Sequence, residues 1–444
     1  MCHQKKKDMD LRKIIFSITE AIVLSSCGKS VDKQVYIPSD LQGMDLNDTA
    51  SDYCFQRSVS TPDIIVFWEK GFGSDVSEAP DYKGNRMTAN LDNLLTQSQY
   101  FYDFFKDSLR FITPGSAADS LKMMIMLRYD DEGTAYGGDY DEKIGALWVT
   151  PLRTQDERMN CIAHELGHSF QSQLCIDNKS GFSGGGIFEM TSQWMLWQVN
   201  PHWVDDEKYH WDAFMQQTHL AFMHPENMYH SPYILEYWSY RHGREFISDL
   251  WRAARHRHDI IDVYEELQGI DDAAFGQEML DAALHFMTYD MPRVKEVMKP
   301  YANRHTSVLQ EADEEGWQRI ADDRVPQQYG YNGISMTVPA PGQTVSVSLK
   351  GLFNPGRTTY AESERYINNA AWSFGLVAVR ADGSCIYSDT AVSTIGHIGT
   401  ITFTAPATEP LSHLWLVVVP TPSKHQDVLE ENSADYINYP FAIR

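Results

Sequence analysis

The segment of residues 154–174 most restricts the possible folds, because it places His164 and His168 four positions apart. On an α-helix, residues at this spacing project from one face, about 6 Å apart along the axis. Two imidazole nitrogens can then reach one zinc ion at about 2.0–2.1 Å each. Glu165, next to the first histidine, can take a proton from a zinc-bound water. The pattern therefore predicts a helix that carries half of a metal site.

Local features of this segment favour a regular helix. Thr154 and Glu157 have the T-x-x-E spacing of a capping box, and Asp156 adds negative charge to the predicted first turn. At about 100° per residue, both histidines lie nearly opposite an apolar stripe. The stripe consists of Met159, Ile162, Ala163, Leu166 and Phe170. We therefore expect the histidines to line a cleft; the alternative is a structural helix with exposed histidines.

A catalytic zinc ion usually has three protein ligands and one open position. The longer pattern H-E-x-x-H-x-x-G-x-x-H is excluded, because Gln171 and Leu174 stand where it needs glycine and histidine. The expected third ligand is Glu189, which lies 21 positions after His168 in a second predicted helix. Asp177 is the alternative ligand, and Glu189 would then only interact with the dipole of its own helix.

Length, charge and cysteine spacing set outer limits on function. The 444 residues are enough for two or three domains. The formal net charge of −24 argues against nucleic-acid binding, because nothing would offset the repulsion from phosphates. The six cysteines show no C-x-x-C spacing, which argues against a cysteine-type zinc site and leaves one disulfide open.

The N-terminus has the pattern of an export signal, with basic residues before an apolar run. Residues 24–27 read LSSC and resemble a bacterial lipobox, which implies a signal peptide over 1–27 and a membrane anchor through lipid at Cys27. The alternatives are a cleaved signal without lipid and an amphipathic helix. Residues 28–55 are predicted to form a polar tether. The expected location is the bacterial cell envelope, lipid-anchored at the outer membrane or cell surface, or the secreted fraction.

The remaining chain predicts an α+β protein in three parts. Strands at 63–71, 121–129 and 144–151 and a helix at 90–111 give residues 56–175 the pattern of a small α/β subdomain. Residues 176–325 are mostly helical in pattern. Residues 326–444 alternate in short runs with an Asp-Gly turn, which predicts an antiparallel β-sandwich.

The motif resembles that of the gluzincins, zinc metallopeptidases that combine H-E-x-x-H with a downstream glutamate. The match covers His164, His168 and Glu189 and their context over about 60–250. It implies a zincin-like catalytic domain, one catalytic Zn²⁺, and a polypeptide or glycoprotein substrate. Gln193 stands where thermolysin-like members have aspartate, and no exopeptidase motif precedes the zinc helix. An endopeptidase is therefore favoured, while the subfamily stays open.

The resemblance also implies roles for individual residues. Glu165 would activate the water and protonate the leaving amine. A downstream tyrosine or histidine would stabilise the oxyanion. Tyr233 is the first choice, and the rivals are His230, Tyr237, His219 and His224. The competing hypothesis is a catalytically inactive zincin-fold surface protein that binds glycan or protein, although such a protein has no need of Glu165.

Three further patterns bear on the surroundings of the motif. The strand at 144–151 is predicted to be the edge strand against which a peptide extends. The acidic stretch 130–142 lacks the D-x-D-x-D-G spacing of a calcium loop and is interpreted as a solvated loop. Ten of the 16 histidines lie between 164 and 258. We interpret them as residues of solvated helix faces, without a second metal.

Overall fold

The computed structural model describes residues 32–352 and 366–444, and Lys33–Arg444 form one compact unit. The predicted signal peptide, lipobox and Cys27 lie outside the described residues. Among the described residues, no helix has both the length and the apolar character needed to cross a membrane. The prediction of a mixed α+β protein is confirmed.

The first sheet has five strands in the order β1-β2-β3-β5-β4. Strands β2, β3 and β5 run parallel, whereas β1 and β4 pair antiparallel at the two edges. The strands are β1 Ser58–Ser60, β2 Ile64–Trp68, β3 Met123–Leu127, β4 Tyr136–Tyr140 and β5 Ile144–Val149. The central strands β2 and β3 are buried along their whole length, which explains their continuous apolar runs.

Ten α-helices lie within residues 91–298, and nine of them follow the first sheet. They are α1 Leu91–Asp107, α2 Asn160–Asn178, α3 Gly185–Val199, α4 Trp203–Asp206, α5 Lys208–Gln217, α6 Tyr233–His242, α7 Phe246–Ala253, α8 Ile260–Gln268, α9 Asp272–Phe286 and α10 Lys295–Met298. Large buried aromatic side chains fill the space between them, including Trp194, Trp197, Trp238 and Trp251. The core of the first sheet continues into this helical layer without interruption.

The C-terminal strands form two antiparallel sheets that enclose a second apolar core. The strands are β6 Leu309–Glu311, β7 Gln318–Ile320, β8 Asn332–Met336, β9 Thr344–Gly351, β10 Ala371–Arg380, β11 Cys385–Tyr387, β12 Ala391–Thr394, β13 Gly399–Thr404, β14 Leu411–Pro420 and β15 Phe441–Ile443. One sheet has the order β11-β10-β14-β8 with β12 also on β10, and the other has the order β13-β9-β15-β7-β6. β6 and β7 belong to this layer although they lie in the range predicted to be helical.

Strands β10 and β14 are buried on both faces. One face packs against α9 and the main core, through Val377, Val379, Trp415, Val417 and Val419. The other face packs against the second sheet, through Leu376, Ala378, Leu414, Leu416 and Val418. This two-sided burial explains why the sequence runs there are apolar at successive positions.

The predicted tether is wrong for the part of 28–55 that the structure describes. Leu41, Leu46 and Tyr53 are buried in the main core. Ser39 is held by Asp141, whose carboxylate accepts a hydrogen bond of 2.7 Å from the Ser39 backbone N–H. The segment is polar in composition, but its few apolar side chains are enough to dock it against the first sheet.

The predicted start of the zinc helix is also wrong. α2 begins at Asn160, and Thr154 instead donates a hydrogen bond to the backbone oxygen of Pro151. Met159 precedes the helix in the left-handed region, with φ 54°. The carboxylate of Asp156 accepts from the Asn160 backbone N–H at 3.2 Å, so an aspartate supplies the capping contact that the threonine was expected to make.

The edge of the first sheet is not where the sequence predicted it. β5 is an interior strand, and the edge strand beside α2 is β4, within the stretch interpreted as a loop. A β-carbon at Gly137 would lie 2.0 Å from the backbone oxygen of Glu165 and 2.7 Å from the β-carbon of His168. Only glycine therefore allows β4 to approach α2 so closely, and the same glycines hid the strand in the sequence.

Candidate metal centre

Helices α2 and α3 pack closely enough to bring their polar faces together. A β-carbon at Gly167 would lie 2.5 Å from Ser192 Oγ, so glycine on α2 makes room for α3. The Ser192 hydroxyl donates to the backbone oxygen of His164 and ties the two helices at this level. Glu189, near the start of α3, consequently faces both histidines of α2.

Three ligand atoms form a nearly equilateral triangle. His164 Nε2 lies 3.1 Å from Glu189 Oε2 and 3.1 Å from His168 Nε2. His168 Nε2 lies 3.3 Å from the same Glu189 oxygen. Ligands at about 2.0–2.1 Å from a tetrahedral zinc ion are about 3.3–3.4 Å apart, so the triangle fits a zinc ion in size.

Two glutamines orient the histidines. His164 Nδ1 is 2.9 Å from Gln193 Oε1, and His168 Nδ1 is 3.0 Å from Gln171 Oε1. The amide nitrogens donate at 3.0 Å to backbone oxygens, Gln171 to that of Phe188 and Gln193 to that of Tyr229. These donations fix both amides with their oxygens toward the imidazoles.

The glutamines therefore determine which atoms face the centre. Each Nδ1 carries the proton that an amide oxygen accepts, so the Nε2 atoms of the neutral imidazoles present lone pairs, and a proton added at Nε2 is donated to Glu189. Together with the Glu189 carboxylate, three electron-pair donors converge within 3.3 Å of one another. The three donors repel one another when no cation lies between them. Either a proton or a metal ion removes this repulsion.

The charges of the centre act on each other strongly. Burial alone would lower the pKa of His164, but the hydrogen bond to Glu189 and the charge of Glu165 raise it. Burial alone would raise the pKa of Glu189, yet the hydrogen bonds from His164 and His168 hold it well below its usual range. A proton in the centre thus competes with a metal ion for the same atoms.

A cleft of about 550 Å³ opens over the triangle. Glu165 lines this cleft beside the histidines, and within the described part of the chain its carboxylate accepts no hydrogen bond from the protein. The remaining walls include Tyr136 and Gly137 of β4, Arg153, Glu207, Tyr209, His210 and Tyr229. A carboxylate, an open polar cleft and an edge strand therefore surround one side of the triangle.

Tyr233 does not belong to the site, and its predicted role is wrong. Its side chain is 0% exposed and does not line the cleft. The ring packs 4.4 Å from that of Phe214 and 5.3 Å from that of Trp197, measured between centroids. Its hydroxyl has no hydrogen-bond partner among the described residues. The first turn of α6 lies inside the aromatic core, which the tyrosine-rich sequence could not distinguish from a cleft wall.

The rivals to Tyr233 also lie outside the cleft lining. Tyr237 donates to Asp281, and His230 Nδ1 is 2.7 Å from His210 Nδ1. His219 is half-buried and His224 is buried, and burial lowers the pKa of both imidazoles. The residues that do line the cleft, Tyr229, Tyr209 and His210, carry no motif that would single them out.

Asp177, the alternative ligand, does not belong to the triangle of ligand atoms. It lies in the last turn of α2, where its carboxylate accepts a hydrogen bond of 2.8 Å from Gln173. The structure therefore brings together His164, His168 and Glu189, as predicted, and leaves Asp177 out.

Comparison with known proteins assigns the chain to a family but indicates no activity. No curated protein matches the chain. A solved xylan-binding domain, CBM22-2 of Xyn10C from Paenibacillus barcinonensis, aligns with 14% identity over 32% of this chain and 84% of that domain, with a TM-score of 0.19. A family of unknown function, DUF6055, matches residues 27–444, and the chain therefore belongs to the DUF6055 family.

Proposed function

We propose that this protein is a zinc-dependent metallopeptidase, with an endopeptidase favoured, that hydrolyses extracytoplasmic polypeptides or glycoproteins. The observation that carries the proposal is the convergence of His164, His168 and Glu189, whose ligand atoms lie 3.1–3.3 Å from one another. Glu165 lines the cleft beside them, and its carboxylate has no hydrogen-bond partner among the described residues. The proposal includes a zincin-like fold for the sheet and helices around the cleft. It also includes export and a lipid anchor at Cys27, for which the N-terminal pattern is the support.

The division of labour follows from the position of each side chain. His164, His168 and Glu189 would hold zinc, which supplies a more acidic bound water and polarises the scissile carbonyl. The Glu165 carboxylate accepts a proton from the attacking water and gives it to the leaving nitrogen. Gln193 and Gln171 keep both Nε2 atoms directed at the centre.

Tyr229 is the proposed oxyanion donor in place of Tyr233. Its ring lies over that of His164, with centroids 6.3 Å apart and planes inclined by 27°. It lines the same cleft as Glu165. Removing one oxyanion donor costs about 10²–10³-fold in kcat. We expect a loss of this size in Tyr229→Phe with zinc content unchanged, and we expect Tyr209→Phe to lose less.

The substrate is proposed to bind in extended form along β4. This strand is the free edge of the first sheet, and its residues Tyr136 and Gly137 border the cleft. An extended peptide can pair with an exposed edge through backbone hydrogen bonds, which requires no particular side-chain sequence. The separation from the histidines is small, because Gly137 touches the backbone of α2.

The test combines zinc analysis with digestion of a peptide and glycopeptide library. We expect wild-type protein to cleave the library, and Glu165→Gln to keep its zinc while cleavage is lost. Glu157→Gln is the matched control, since Glu157 is an exposed glutamate just before α2 and should leave both properties unchanged. Zinc without cleavage by the wild type would instead favour the inactive surface-binding protein.

A further inference from the structure

A second group of metal-ligating side chains lies where α8 and α9 meet the segment after β14. It contains Glu265, Asp272 and His425, whose potential ligand atoms are all within 4.8 Å of one another. Asp272 stands at the first position of α9 and Glu265 in the second half of α8. His425 comes from the chain that follows β14, so the group joins the helical layer to the C-terminal part.

One oxygen of this group is buried without a partner. Glu265 Oε1 has no hydrogen-bond partner among the described residues and no solvent contact. A buried carboxylate oxygen in that state costs free energy unless something neutralises it. The second carboxylate, Asp272, is engaged through Oδ1, which accepts from the His425 backbone N–H at 2.7 Å and lies 2.7 Å from His425 Nδ1.

A second, independent oxygen points to the same place. Tyr329 is 3% exposed, and its hydroxyl has no hydrogen-bond partner in the parts of the chain that the structure describes. Burial raises the pKa of this hydroxyl, and the charges of Asp272, Glu265 and Asp259 raise it further. Two buried oxygens from different elements therefore lie within the electrostatic influence of one acidic group, and each lacks a hydrogen-bond partner among the described residues.

The imidazole of His425 is already oriented for ligation. Its Nε2 lies 2.8 Å from Asp259 Oδ2, and Asp259 is itself fixed by the backbone N–H of Ile261 at 2.8 Å. A cation held by Glu265 and Asp272 would take the place of the proton that Nδ1 shares with Asp272 Oδ1 at 2.7 Å. A carboxylate that holds the far nitrogen of a metal-bound imidazole is the usual support of a histidine ligand.

We propose that Glu265, Asp272 and His425 Nδ1 bind a second divalent cation, with the Tyr329 hydroxyl facing it, and that this ion fastens the C-terminal part to the helices. A mixed imidazole and carboxylate donor set suits zinc or a similar first-row ion. The site is separate from the cleft and has no role in the proposed hydrolysis. It contributes stability, because the ligands come from two helices and a later segment.

The test counts zinc in full-length protein equilibrated at a buffered free zinc concentration. We expect two ions per chain in the wild type and one in His164→Ala/His168→Ala. We expect one in Glu265→Gln/Asp272→Asn, which shows that this variant still folds around the first site. Asp262→Asn is the matched control with two ions, because Asp262 lies on the opposite, Nε2 side of His425 at 3.5 Å.

The first-site variant separates this proposal from the proposed function. Zinc should raise the thermal midpoint of His164→Ala/His168→Ala, and Tyr329→Phe in that background should weaken zinc binding. No zinc in the first-site variant would overturn the second site and leave the peptidase proposal intact. Loss of the ion in Asp262→Asn but not in Glu265→Gln/Asp272→Asn would overturn the assigned ligands.

Discussion

The cleft between α2 and α3 buries His164, and the junction between the helices and the C-terminal sheets buries His305, with opposite results. In the cleft, both nitrogens of His164 have polar partners, and nearby carboxylates raise its pKa. At the junction, His305 lies between the rings of Tyr331 and Trp415, with centroids 5.5 Å and 5.9 Å away. Burial there lowers the pKa of His305 to about 3.

The difference shows that burial alone does not make a histidine useful for chemistry. His305 Nε2 is 2.9 Å from the Tyr331 hydroxyl, and its Nδ1 has no partner among the described residues. A cation has no negative group to offset it there, so the ring stays neutral and structural. The cleft differs because Glu189 and Glu165 stand beside its histidines.

The largest expected effect comes from removing the charge that distinguishes the cleft. Glu189→Ala leaves two imidazoles without their carboxylate, so we expect zinc content well below one ion per chain at that centre and no detectable cleavage. Zinc analysis in the Glu265→Gln/Asp272→Asn background measures the zinc bound at this centre alone, because the second site is removed. Unchanged zinc would refute Glu189 as the third ligand.

A smaller effect is expected when only the orientation of a histidine is lost. Gln193→Met removes the oxygen that accepts from His164 Nδ1 and keeps a side chain of similar length. We expect zinc affinity to fall about 10–100-fold, the usual cost of losing an outer contact to a ligand. Competition with a zinc chelator measures the change, and Gln155→Met, at an exposed position, is the control.

The contact between β4 and α2 gives a matched pair of glycine substitutions. Gly137→Ala places a methyl group 2.0 Å from the Glu165 backbone oxygen, so β4 must move away, at a cost of about 1–3 kcal/mol in unfolding free energy. Gly138→Ala meets only Trp148, at 3.8 Å, and should be tolerated. Chemical denaturation and cleavage rates of the two variants check this, and equal behaviour would argue against the close approach.

The smallest effect concerns acid stability at the junction. The folded protein keeps His305 neutral down to about pH 3, whereas the unfolded chain takes up a proton near 6.5. Because the unfolded state then binds more protons, stability falls as pH drops below 6.5, by about 2 kcal/mol at pH 5. Urea unfolding at pH 7 and pH 5 should show a smaller loss in His305→Gln than in the wild type. An identical loss would remove His305 as the cause.

The sequence predicted the features that depend on local spacing. His164 and His168 had to share a helical face, and Glu189 followed from the ligand count and the resemblance. The fold contains the predicted strands and helix as β2, β3, β5 and α1. The geometry of a helix fixes the relative positions of residues that are close in sequence, so these predictions needed no tertiary information.

The features that the sequence missed depend on contacts between distant segments. Tyr233 was a reasonable cleft residue by composition, but the packing of α6 against Phe214 and Trp197 places it in the core. The sequence did not predict β4 because glycines are uncommon in strands. The reason for Gly137 is its close contact with α2, which only the structure shows. Gln193 replaces the aspartate of thermolysin-like members, and only its distance of 2.9 Å from His164 Nδ1 shows that an amide oxygen orients this histidine.

Anomalous X-ray diffraction at the zinc edge tests the central claim most directly, using crystals grown with zinc. We expect a peak bonded to His164 Nε2, His168 Nε2 and a Glu189 oxygen, with a fourth position that opens toward Glu165 and holds no protein atom. A cleft without a peak at these atoms, or a peak whose fourth position is filled by a protein side chain, would contradict it.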